Sequence, residues 1–235
     1  MSAPSGPLGI LMLDTAFPRV PGDVGCAASF AFPTRYAVVP HATPGRIVPA
    51  HDAARWLAPF AAAGRALVDD GCIAIATTCG FLARWQDALA AALPVPVLTS
   101  ALLQVPLVAR TLAPDRPVGI VTYSARDLDA ATLAGAGVAP GTPVEGVAPD
   151  GRFATTIRDG AATIDSTAMA ADVVAAARRL VARRPDVGAL VLECANMGPY
   201  RTAVASACGL PVFEACALIA WFHRGVAGTD AADLW

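Results

Sequence analysis

The chain has 235 residues, 55% of them hydrophobic and 15% charged, a composition that buries a core and excludes a disordered polymer, which would be polar and charge-rich. Its 17 basic and 19 acidic residues leave a net charge of −2. No basic run is available to track a phosphate backbone, so no nucleic acid is expected as a partner. Every basic residue is arginine, and without lysine a Walker A loop, a Schiff-base aldolase and a pyridoxal-phosphate enzyme are all excluded.

The N-terminal run MSAPSGPLGILMLD has no positive region and only a short apolar stretch, which predicts no signal peptide. The six cysteines include no CxxC pair and so predict a reduced, cytoplasmic chain rather than a disulfide framework. Leu8–Leu13 predicts the first strand. Phe17–Gly45, aromatic and punctuated by five prolines (Pro18, Pro21, Pro33, Pro40 and Pro44), follows no period and predicts an irregular wall or lid over a site. Cys72–Thr77 predicts a strand, Leu82–Ala92 a helix and Val95–Leu98 a strand. Ala88–Ala109 is uncharged and long enough to span a bilayer, but Pro94, Pro96 and Pro106 interrupt it and Thr99, Ser100 and Gln104 lie within it. It therefore reads as helix end, strand and new helix, with no membrane partner. Val118–Thr122 predicts the next strand, Gly135–Gly160 a surface connection, Thr167–Arg184 a helix, Ala189–Leu192 a strand, Tyr200–Cys208 a helix and Pro211–Phe213 a last strand. Uninterrupted apolar strands alternating with helices predict parallel βαβ units and an α/β fold.

The chain also repeats itself. Asp70–Cys79 and Asp186–Cys194 share an acidic start, an apolar strand and a terminal cysteine; each is followed by a helix and then Leu-Pro-Val, at Leu93–Val95 and Leu210–Val212. Pro7–Asp14 is echoed by Pro117–Ser124. Two matches in the same order predict two related α/β halves.

Cys79 and Cys194 end equivalent strands, where open α/β sheets bind ligands. Each precedes a residue able to open a helix, a position whose dipole lowers a thiol pKa. If the halves face each other, the two thiols flank one ligand. One thiolate can then remove a proton from a carbon next to a carbonyl while the opposite thiol supplies one, provided donors hold the carbanion's carboxylate. Cys72, Cys208 and Cys216 read as small buried hydrophobes. Thr77, Thr78, Tyr123 and Ser124 end strands on the same edge, as oxyanion donors or as helix caps. Asp14 orients a thiol, holds a substrate amine or caps; Glu193 and Glu214 end strands, with alternation turning Glu193 away from Cys194. His41, His51 and His223 have no metal spacing and read as surface or capping residues.

These residues resemble the aspartate/glutamate racemase superfamily, which includes cofactor-independent amino-acid racemases, hydantoin racemases, arylmalonate decarboxylase and maleate isomerase. Gly9–Asp14, Thr77–Phe81 and Leu192–Met197 carry the resemblance across essentially the whole chain. It implies two pseudo-symmetric domains, residues 1–98 with 213–235 and residues 99–212, each a mainly parallel sheet flanked by helices, with the active site in the cleft between them. Cys79 and Cys194 would be the proton-transfer pair, with Asp14, Thr77, Thr78, Gly80, Tyr123, Ser124, Ala195 and Asn196 around a small carboxylate or hydantoin. Neither cofactor nor metal is expected, and a homodimer is. The sequence departs from glutamate racemases at Gly80, where they carry Asn, and at Ala195-Asn196, where they carry Thr-His. The expected activity is that of a racemase or epimerase. A single-cysteine isomerase or decarboxylase and a non-catalytic carboxylate binder are the alternatives, and Cys26 is a candidate third thiol.

Overall fold

The computed structural model describes residues 5–49 and 54–228. It contains two four-stranded sheets. β1 (Leu8–Met12), β2 (Thr34–Val38), β3 (Ala74–Thr77) and β4 (Val97–Leu98) pair in the order β2-β1-β3-β4. β5 (Val118–Thr122), β6 (Val144–Gly146), β7 (Ala189–Leu192) and β8 (Val212–Phe213) pair in the order β6-β5-β7-β8. All six pairings are parallel. The helices in chain order are α1 (Pro44–Ile47), α2 (Ala54–Asp69), α3 (Gln86–Ala92), α4 (Val105–Ala109), α5 (Ala130–Gly135), α6 (Arg152–Asp159), α7 (Ser166–Arg183), α8 (Arg201–Cys208) and α9 (Ala215–Ala227). None among the described residues is long and apolar enough to cross a membrane.

The sequence repeat is a repeat of topology. Leu8 pairs with Ala74 and Leu11 with Thr77 in the first sheet; Val118 pairs with Ala189 and Val121 with Leu192 in the second. β1 thus corresponds to β5 and β3 to β7. The central strands β3, β5 and β7 are buried throughout, because helices cover both faces of a parallel sheet. One apolar cluster joins Leu8, Ile10 and Ile75 of the first sheet to Val118, Ile120 and Val191 of the second. A second packs α6, α7 and α8 on the outer face of β5 and β7. The last helix, α9, returns to pack beside β3.

Two segments read as irregular carry strands. β2 lies inside Phe17–Gly45 and β6 inside Gly135–Gly160; both are half-buried edge strands, Thr-Arg-Tyr-Ala-Val and Val-Glu-Gly, without the apolar run that marks a central strand. Gly135–Gly160 is also no mere surface connection, since it holds α6, whose Phe153, Ala154 and Ile157 are buried. The helix expected over Leu82–Ala92 is a 3-10 turn, Gly80–Trp85, followed by α3. His223 is not a surface residue: it is buried, stacks on Phe32 at 3.8 Å and directs Nε2 at the Gly6 carbonyl. His51 lies outside the described residues.

Candidate active site

The carboxyl ends of β1, β3, β5 and β7 open on the same side of their sheets, and the turns leaving β3, β5 and β7 build the site. A narrow cavity of about 30 Å³ is lined by Thr78, Cys79 and Gly80 after β3, Tyr123 after β5, and Glu193, Cys194 and Asn196 after β7. Pro44, Val48 and Ile157 of α6 complete its lining. A larger chamber of about 460 Å³ shares Pro44, Val48 and Tyr123 with it and extends past Ser124, Arg126 and Arg158. The two segments that looked irregular therefore form the walls.

Both cysteines that the repeat singled out line this one cavity, and both are buried. The expectation that a helix N-terminus depresses their pKa values does not hold. Burial, reinforced by the nearby Glu193 carboxylate, pushes the Cys79 thiol up to about 12, against the opposing effect of the Phe81 and Leu82 amides. Burial likewise raises Cys194 well above the ordinary thiol value, with Glu193 again adding to it. The turn after Cys79 is a short 3-10 helix, whose few aligned dipoles cannot offset desolvation.

Cys194 is held from the chain's irregular segment. Its thiol donates to Asn196 Oδ1 at 3.4 Å, and Asn196 Nδ2 donates to the buried Asp23 carboxylate at 2.8 Å. Asp23 is in turn paired with Arg19 at 3.1 Å and accepts the Gly25 N–H at 2.7 Å. The neighbouring Ala195 carbonyl accepts the Val24 N–H. Residues 19–25 thus strap the second cysteine's turn.

Glu193 is the residue the sequence argument missed. Alternation was expected to turn it away from Cys194, yet its carboxylate lines the cavity with both thiols. The equivalence of β3 and β7 explains the placement. Thr78 Oγ1 accepts the Leu13 N–H at 3.3 Å in the first half, and Glu193 Oε2 accepts the Tyr123 N–H at 3.3 Å at the same point in the second. Glu193 is a longer side chain at the Thr78 position, so its second oxygen reaches across to Gly80. A Cβ on Gly80 would run into Glu193 Oε1 and would lie 2.6 Å from the Glu193 carbonyl oxygen, a backbone atom that cannot swing aside, so glycine fits after the first cysteine. Burial raises the Glu193 carboxyl to about 7, opposed by the Thr122 hydroxyl and the Tyr123 amide.

The other expected site residues divide. Thr78, Gly80, Tyr123 and Asn196 line the cavity with the cysteines, and Ser124 lines the outer chamber, its hydroxyl donating to Asp127 at 2.6 Å. Thr77 donates its hydroxyl to the Thr99 carbonyl at 2.6 Å and braces β3 against the next turn. Asp14 accepts the His41 N–H at 2.9 Å, fixing a left-handed residue at φ 64°. Asp14, Thr77 and Ala195 line neither cavity, and neither does Cys26. Glu214 caps α9 through the Ala217 N–H at 2.8 Å. Among the described residues no group of His, Cys, Asp or Glu is arranged to hold a metal ion.

A family model described as Asp/Glu/hydantoin racemase matches residues 27–222. The chain belongs to that family. Among this racemase-family chain's relatives, dimethylsulfoniopropionate lyase 5 of Emiliania huxleyi (strain CCMP1516) is 27% identical over 238 residues, covering 95% of this chain and 45% of its own length. The dimethylsulfoniopropionate lyase of Durusdinium sp. clade D is 26% identical over 240 residues, covering 93% of this chain and 74% of its own length. The chain therefore spans less than half of the first relative. Unliganded arylmalonate decarboxylase shares the fold with a TM-score of 0.61 at 20% identity, over 96% of this chain and 94% of that one. Glutamate racemase isoform RacE1 from Bacillus anthracis gives a TM-score of 0.62 at 13% identity, over 95% and 84%.

Proposed function

We propose that the protein catalyses proton abstraction from a carbon next to a carboxylate or imide carbonyl, with Cys79 and Cys194 as opposed acid and base. On a stereogenic carbon this is racemisation or epimerisation. The observation that carries the reading is that the two cysteines, at equivalent strand ends of two different sheets, line one cavity.

The chemistry follows from that placement. A carbon acid held between the thiols loses its proton to the thiolate of one, and the S–H bond of the other breaks as its proton is delivered to the opposite face. The balance is one proton taken and one given, leaving the second cysteine as thiolate. Burial that makes each thiol hard to ionise also raises the proton affinity of the thiolate once formed, while lowering its population near neutrality. The negative charge that develops on the substrate's carboxylate needs nearby donors, a part open to the Thr78 hydroxyl and the Tyr123 phenol, both of which line the cavity.

A second outcome of the same first step is favoured by the names of the relatives. If the β-carbon bears a leaving group such as a sulfonium, the electron pair left by the α-proton forms a carbon–carbon double bond and expels it. The adjoining chamber of about 460 Å³ gives such a group room.

Proton NMR in D₂O tests both, using aspartate, glutamate, 5-substituted hydantoins, phenylmalonate and dimethylsulfoniopropionate with wild type, Cys79→Ser and Cys194→Ser. The expected result is α-hydrogen exchange or elimination on one class, falling by about 10²-fold or more in each variant. Equal rates in all three proteins would sink the mechanism. Inversion separates the racemase from the lyase, whose signature is an alkene product.

A further inference from the structure

We propose that Glu193 acts as a neutral carboxylic acid, donating a hydrogen bond from Oε1 to the carboxylate of the bound substrate. This rests on the reading of the cavity as a site for carboxylate-bearing carbon acids.

The hydrogen bonds of Glu193 assign its two oxygens different roles. Oε2 accepts from the Thr122 hydroxyl at 2.7 Å and from the Tyr123 N–H at 3.3 Å, which fills both its acceptor sites, as at the carbonyl oxygen of a protonated carboxyl. Oε1 lies against Gly80 in the cavity wall and receives no hydrogen bond from the described residues. It is the oxygen left to carry the proton.

The surroundings favour that form. Glu193 is 1% exposed, and the titratable groups sharing its cavity are the Cys79 and Cys194 thiols and the Tyr123 phenol. The nearest full charges stand further back, each with a counter-charge: Arg84 behind Cys79 lies 3.8 Å from Asp129, Asp23 beyond Asn196 pairs with Arg19, and Arg158 beyond Tyr123 pairs with Asp159. Among the described residues no cation meets the carboxyl directly, and burial keeps it protonated up to about pH 7. An incoming substrate carboxylate adds a like charge and strengthens the preference.

A neutral acid facing an anion makes a short, charge-assisted hydrogen bond. As the α-proton leaves, charge builds on the substrate's carboxylate oxygens. The proton then shifts from Oε1 to the substrate oxygen, and Glu193 holds the negative charge on the Thr122 and Tyr123 donors until the carbanion is quenched and the proton returns. A protonated acid in an oxyanion site is an established way to stabilise such charge.

Calorimetric titration with propionate as the probe, between about pH 5.5 and 8.5 in buffers of different ionisation enthalpy, measures affinity and proton uptake together. In the wild type, affinity should fall about tenfold per pH unit above neutrality, with about one proton taken up per propionate bound. Glu193→Gln, whose amide donates where the hydroxyl did, should bind at every pH within about threefold of the wild type at its acid limit, with no proton uptake. Wild-type affinity that is flat or rises with pH overturns the proposal. So does absence of binding at about 0.1 M propionate at the acid limit, or loss of binding in a folded Glu193→Gln; the wild-type profile decides the matter even without the variant. Cysteine-dependent exchange with pH-independent propionate binding would overturn this inference and leave the proposed function standing. Proton-coupled binding without exchange on any substrate would do the reverse.

Discussion

A carboxyl buried between two thiols, with two donors on one oxygen and a glycine against the other, costs folding free energy when it ionises. Glu193 titrates near 4.5 in an unfolded chain and near 7 in the fold, so the native state binds the proton more tightly. Its contribution to stability is complete below about pH 4.5 and is lost as the pH rises through 7, a change of about 3 kcal/mol by linkage. Glu193→Gln removes the titration. Urea unfolding at a series of pH values should therefore show the variant gaining on the wild type by about 3 kcal/mol between the acid and neutral ends of that window, and holding level above it. Parallel profiles would mean that the carboxyl is not desolvated. The two cysteines were legible in the sequence because both copies of the repeat end in one. Glu193 was legible by the same alignment, which sets it opposite Thr78, but period-two alternation pointed it away. Alternation stops where a strand ends, and past Leu192 the turn brings residues 193 and 194 to the same cavity. The thiol pKa values run against the dipole for a related reason: a strand-end position shows the dipole, whereas burial depends on walls contributed from elsewhere in the chain.

Elements were readable in proportion to their burial. Val118–Thr122 and Ala189–Leu192 form strands at the bounds their apolar runs predict. β2 and β6 lack an apolar run because they are half-buried and carry polar side chains, whereas the equally peripheral β4 and β8 are apolar and readable. The same low apolar content hid the function of the flanking segments, whose work is done by polar contacts. Asp23 shows this most clearly, as the buried carboxylate that Arg19 neutralises and that carries Asn196 and, through it, the Cys194 thiol. Asp23→Ala takes the carboxylate from the Asn196 amide and from the part-buried Arg19, which keeps the Thr15 hydroxyl and the Phe17 ring, a loss of about 3 kcal/mol, at the low end for a broken buried pair. It should lower the melting temperature and free the 19–25 strap. Iodoacetamide labelling followed by peptide mass spectrometry should then find Cys194 modified several-fold faster and Cys79 unchanged, since among the described residues no hydrogen bond joins residues 19–25 to the β3 turn. Equal acceleration at both cysteines would instead indicate general loosening, and no change at either would show that the strap does not hold the site.

At the scale of the whole molecule, the question is whether two halves of like topology behave as one body or as two. Their sequences repeat and their sheets do not pair with each other, which on its own would permit separate unfolding. The packing argues otherwise. The larger apolar cluster is built from both sheets, and the 3-10 turn after Cys79 lies so close to α5 that a Cβ on Gly135 would stand 2.2 Å from the Ala83 carbonyl. The Asp23–Asn196 and Val24–Ala195 bonds and the Gln104–Glu214 contact also link distant parts of the chain. Opening either half alone would expose apolar surface that the other now covers, at about 25 cal/mol for each Å², so the intermediate with one half folded should not accumulate. Trp56 and Trp85 are buried in the first half, while α7 and α8 place much of the second half's helix beyond them. Trp221 is already exposed, so the emission shift on unfolding comes from Trp56 and Trp85 and follows the first half, while far-UV circular dichroism follows both. In urea the two signals should trace one transition with the same midpoint. A dichroism curve that continues after fluorescence has finished would mean that the second half stands without the first, and the cavity between Cys79 and Cys194 would then join two independent bodies rather than lie inside one.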